Sequence, residues 1–87
     1  MASSDQQQHP FLPYTLKIGG KAVAVCDLYD ASSHYQILRD DSGEGASTFP
    51  EGMVYNGDVW VARISYNGRV WAPKPWAKGD LPLMEPA

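Results

Sequence analysis

Apolar and polar residues alternate over Tyr14-Thr15-Leu16-Lys17-Ile18, the period of a strand with one buried face. Gly19-Gly20 follows, a dipeptide suited to a two-residue hairpin turn, and Lys21 to Cys26 reads as the returning strand. Such a turn sets Leu16 opposite Val23 and Tyr14 opposite Val25, so these residues share one apolar face. Thr15, Lys17, Ala22 and Ala24 fall on the other face. The period then lengthens. Leu28, Ala31, Tyr35 and Leu38 recur at helical spacing and draw one apolar stripe. Asp27 suits an N-cap, Asp30 can reach back in a capping-box-like arrangement, and Gly43 suits a left-handed C-terminal turn. The pattern predicts a helix over about 28–41, with its stripe covering the Tyr14/Leu16/Val23/Val25 face.

Residues 42–52 read as a long loop that Phe49, its one large apolar residue, pins to the core. Asn56-Gly57 and Asn67-Gly68 are strong hairpin signals and predict strands over about 53–55, 58–66 and 69–72. Two-residue turns at these dipeptides place Val54 beside Val59 and Ser65 beside Val70. One face of this meander then carries Val54, Val59, Val61, Val70, Arg63 and Ser65, and the other Met53, Trp60, Ala62, Ile64, Tyr66 and Trp71. From Pro73 onward, repeated prolines impose an extended conformation, and Trp76 is expected to pack back on the sheet or on a partner. The fold class expected is α+β: a small antiparallel sheet in the order β-β-α-β-β-β with one helix packed on one face. Whether the two hairpins share one sheet is left open by the pattern. Residues 1–12 read as a flexible lead-in, 13–76 as a single domain and 77–87 as a Pro-rich extended tail.

Length and charge narrow the picture. A chain of 87 residues has room for one core and buries only about 60% of its unfolded surface. The longest apolar run, Ala22 to Cys26, is too short to span a bilayer, and Met1 to His9 lacks the basic start and apolar stretch of a secretory signal. The single cysteine, Cys26, excludes an internal disulfide, so a cytoplasmic location is expected. Net charge is −3, with seven basic residues against ten acidic ones, a balance that weighs against nucleic acid as the partner.

Candidate chemistry is sparse. Cys26 and His34 are one recipe for an activated nucleophile, but Cys26 ends a strand while His34 lies off the helix stripe. The other histidine, His9, is in the lead-in. Asp40, Asp41 and Glu44 lie close together without matching a calcium loop, and helix-end acids are usually solvated. Ser42-Gly43-Glu44-Gly45-Ala46-Ser47 lacks the lysine and following helix of a phosphate cradle. No catalytic, cofactor-binding or metal-binding residue is assigned, and no cofactor is expected.

The aromatic residues say more. Trp60, Tyr66 and Trp71 are expected on one meander face, with Arg69 joining them and Trp76 just beyond; Arg63 adds a further cation. Trp60, Arg63, Tyr66, Arg69, Trp71 and Trp76 are therefore the candidate partner-binding residues, set against their plainer use as core. The reading is a small non-enzymatic protein that docks on another protein or on a second copy of itself. By analogy with small stand-alone chains of bacterial viruses and plasmids, it would be an inhibitor, adaptor or accessory factor. The alternatives are a single-stranded nucleic-acid module stacking bases on the aromatic face and, more remotely, a small Cys/His enzyme.

Overall fold

The structure, a computed structural model, describes residues 12–87. The expected lead-in over residues 1–12, with His9, lies outside the described residues except for Leu12. The elements are β1 (Tyr14–Ile18), β2 (Lys21–Val25), α1 (Leu28–Ser42), β3 (Gly52–Asn56), β4 (Val59–Ile64) and β5 (Val70–Trp71). The fold is α+β, and both hairpins belong to one five-stranded sheet in the order β2-β1-β3-β4-β5, antiparallel throughout.

The first hairpin has the register its alternation predicts, Tyr14 facing Val25 and Leu16 facing Val23. Gly19 supplies the positive φ, 58°, at the first central turn position, which is the demand of a type II′ turn. β1 then pairs on its other side with β3, bringing Val54 beside Leu16. No short-range signal specifies this pairing, because a long helix and loop separate the two strands.

α1 begins where expected. The Asp27 carboxylate accepts from the Asp30 N–H at 2.7 Å, and the Asp30 carboxylate accepts from the Cys26 N–H at 3.0 Å. Two amide donors at the helix start are thereby satisfied. Gly43, at φ 70°, closes the C-terminus. Ala31 and Tyr35 are fully buried against the sheet, with Leu28 and Leu38 flanking them. Leu16, Ile18, Val25, Val54, Ala62, Ile64 and Val70 complete the core on the sheet's helix side. Phe49 pins the 42–52 loop as expected, its ring centroid 5.5 Å from that of Tyr35.

The meander departs from its predicted register in two places. The β3–β4 turn is Gly57-Asp58 rather than Asn56-Gly57, with Gly57 at φ 62° and Asn56 facing Val59. A bulge follows: Tyr55 faces Trp60 but Val54 faces Ala62, leaving Val61 as the extra residue. Every β4 side chain beyond the bulge changes face, so Ala62 and Ile64 enter the core and Arg63 leaves the face of Val54. The β4–β5 loop then takes one residue more than expected. Gly68 N–H donates to Ser65 O at 2.8 Å, Ser65 N–H donates to Arg69 O at 3.0 Å, and Gly68 sits at φ 94°. This is a three-residue loop with a left-handed glycine. It pairs Ile64 with Val70 and Arg63 with Trp71. The two one-residue slips compensate, so Trp60 and Trp71 still share a face, as do Val54 and Val70.

The C-terminal segment adds to both layers. Val70 N–H donates to Met84 O at 3.0 Å, and Leu83 N–H donates to Val70 O at 2.7 Å, extending the sheet beyond β5. Ala87 N–H donates to the buried Ser32 hydroxyl at 3.1 Å, and that hydroxyl donates to Gly68 O at 2.8 Å. Ser32 therefore ties the helix, the β4–β5 loop and the C-terminal residues together. Among the described residues no helix is long and apolar enough to cross a membrane.

Candidate functional site

One helix packs on one side of five strands, so the opposite sheet face is left to the strands' alternate residues. These are Ala22 and Ala24 of β2, Thr15 and Lys17 of β1, Met53 and Tyr55 of β3, Trp60 and Arg63 of β4, and Trp71 of β5. At the middle of this face Tyr55 and Trp60 are direct cross-strand neighbours, both half-buried. The Lys17 ammonium lies 4.7 Å from the centroid of the Tyr55 ring. The Trp60 indole N–H donates to Ala62 O at 2.8 Å, which fixes the ring along its own strand.

The β5 end is more enclosed. Arg63 is only 7% exposed, and its guanidinium donates to Lys74 O at 2.9 Å, lies 3.6 Å from a Glu51 carboxylate oxygen and stands 5.5 Å from the Trp71 ring. Residues Ala72, Lys74, Asp80 and Leu81 border the same small cavity of about 50 Å³ as Arg63 and Trp71. Lys74 and the Ala77 N–H bind the Asp80 carboxylate at 2.7 and 2.8 Å, and these two donors hold its pKa below the usual carboxylate value. The Pro-rich segment is thus folded against one end of the face.

The six residues predicted for partner binding do not gather in one place. Trp60, Arg63 and Trp71 are on the open sheet face, with Arg63 held internally. Tyr66 is not on that face: it sits in the β4–β5 loop, its hydroxyl donating to Glu44 O at 2.8 Å and its ring 6.4 Å from Phe49. The loop takes Tyr66 out of the strand, so strand alternation does not govern it. Arg69 is engaged with Glu85 at 2.9 Å. Trp76 is 57% exposed. Tyr55 and Lys17 belong to the surface although local pattern does not single them out; their adjacency depends on the β1–β3 pairing.

Other chemistry does not assemble. Cys26 is exposed, while His34 is directed to Asp30, Nε2 lying 3.4 Å from its carboxylate. Loss of hydration, contact with Asp30 and the negative field of Asp27 and Asp30 raise the Cys26 thiol above its ordinary pKa. A neutral thiol is a poor nucleophile. Among the described residues no three His, Cys, Asp or Glu side chains cluster as a metal site. A cavity of about 390 Å³ opens between the Gly19-Gly20 turn and the end of α1, with Ile18, Leu38, Phe49 and Pro50 as its apolar lining and Lys21, Asp41 and Glu44 as its charges. Among the described residues no buried side-chain nitrogen or oxygen is left without a partner.

No family model, curated protein or solved structure matches the chain.

Proposed function

We propose that this chain is a non-enzymatic binding protein that docks on another protein through the open sheet face, as an inhibitor, adaptor or accessory factor would. The observation that carries the reading is the Tyr55–Trp60 cross-strand pair, flanked by Met53 and Lys17, on the side of the sheet opposite the helix. Aromatic rings held rigid by a sheet give large contact area at little entropic cost, the composition of interface hot spots. The single cysteine, free and exposed, fits a reducing cytoplasmic setting.

The same rings also suit base stacking, which supports a second reading as a single-stranded nucleic-acid module. Charge ranks it lower. Among the described residues Arg39, Arg63, Arg69 and Lys74 are each paired with a carboxylate, so only three of the seven basic residues, Lys17, Lys21 and Lys78, are without one there.

The test compares capture from host lysate by the immobilised wild-type chain with capture by Tyr55→Ser and Lys17→Glu, each checked for folding by circular dichroism. A protein retained by wild type and lost with both variants supports docking on this face. A partner retained equally by all three rejects it. Oligo(dT) binding that weakens steeply with salt and requires Tyr55 favours the nucleic-acid reading instead.

A further inference from the structure

The two edges of the sheet differ. β5 has its outer edge occupied by residues 83–84 through the Val70 hydrogen bonds. β2 is the other edge, and among the described residues no strand or backbone bond reaches its outer side. The two-residue turn makes Ile18–Lys21 a hydrogen-bonded pair, so Leu16–Val23 and Tyr14–Val25 are the next such pairs in the alternating ladder. The N–H and C=O groups of Ala22 and Ala24 therefore point outward. The following outward amide, that of Cys26, is already bound to Asp30. Nothing blunts this edge: β2 has no proline and no bulge, its one charge is Lys21 at its start, and Ala22 and Ala24 are exposed.

We propose that a second copy of this chain occupies the edge, its β2 pairing antiparallel with β2 about a two-fold axis at Val23. In that register Ala22 lies opposite the partner's Ala24 and exchanges two backbone hydrogen bonds with it, and symmetry repeats the exchange. All the free outward groups of β2 are then used and the occupied Cys26 amide is not needed. Methyl side chains at both positions put neither bulk nor charge against the partner strand. Lys21, which has no ion pair among the described residues, comes diagonal to the partner's Asp27, at a distance a lysine can span. A strand from an unrelated protein would have to supply both features; a second copy has them already. The product is one continuous sheet that leaves the Tyr55–Trp60 region uncovered, so this pairing is separate from the docking proposed above.

Sedimentation velocity of the full chain over a range of concentrations tests it. The expected result is a mass rising from 9.6 kDa toward twice that value. Ala24→Pro removes an amide that the monomer's own ladder does not use, so it is expected to abolish the dimer while leaving the circular dichroism spectrum of the folded chain unchanged. Ala24→Lys serves the same purpose should the proline variant not fold. Lys21→Glu is expected to weaken the dimer, and Tyr55→Ser to leave it intact. A monomer at every concentration, a dimer that survives both Ala24 variants, or a dimer lost on Tyr55→Ser overturns the proposal.

Discussion

Tyr35 crosses the sheet above Gly52, so closely that a Cβ on the glycine would stand 3.0 Å from Tyr35 Cδ1 and equally near Leu16 Cδ1. The missing side chain sets how near α1 approaches β3. Gly52→Ala is expected to destabilise the fold by roughly 1–3 kcal/mol, the cost of overpacking a filled core. Urea unfolding of the variant against wild type measures it.

Burial, and then the Glu51 carboxylate, push the Tyr35 phenol up to about 12, while its hydroxyl donates to Pro50 O at 3.0 Å. The folded pKa lies above the unfolded value near 10, so the folded state holds this proton more tightly. Its contribution is fully present below pH 10 and is lost as pH rises toward 12, by roughly 2–3 kcal/mol in all. The difference in stability between wild type and Tyr35→Phe, followed from pH 8 to 12, isolates the contribution of this phenol from those of other groups titrating there. The gap should narrow across the upper part of that range.

Ser32 is a buried hydroxyl serving three elements. Ser32→Ala leaves Gly68 O and the Ala87 N–H without their partner. A cost of roughly 1–3 kcal/mol is expected, as for other buried polar groups left unsatisfied. Amide hydrogen exchange should also quicken at Val70 and Met84, which depend on the same C-terminal anchorage.

Arg63 joins the Pro-rich segment to the sheet. Arg63→Met keeps the aliphatic stem but loses the Lys74 carbonyl, Glu51 and Trp71 contacts. Limited tryptic proteolysis after Lys78 should accelerate while the core melts at a little-changed temperature.

How much of this was legible in the sequence varied along the chain. The first hairpin and α1 are set by neighbours in sequence: Gly19-Gly20 dictates the turn, Asp27 and Gly43 the helix ends, and the Ala31/Tyr35 stripe its buried side. The strands after Gly52 are visible too, but their register is not. An asparagine–glycine pair marks a reversal without saying which two residues occupy its centre. The Val61 bulge follows from three-dimensional packing, which draws both Val61 and Ala62 to the core side. The open face was legible in Trp60 and Trp71, while Tyr66 was misplaced because its loop is longer than two residues. Lys17 over Tyr55 needed the β1–β3 pairing, a contact between residues far apart in sequence.

Side-chain footprinting by hydroxyl radicals, on the free chain and on its complex with the captured protein, tests the docking face most directly. Tyr55, Trp60 and Met53 should be modified in the free chain and protected in the complex, with buried Tyr35 inert in both and Tyr29, exposed on the outer side of α1, equally reactive in both. Protection of Tyr29 with Tyr55 and Trp60 unchanged would contradict the account.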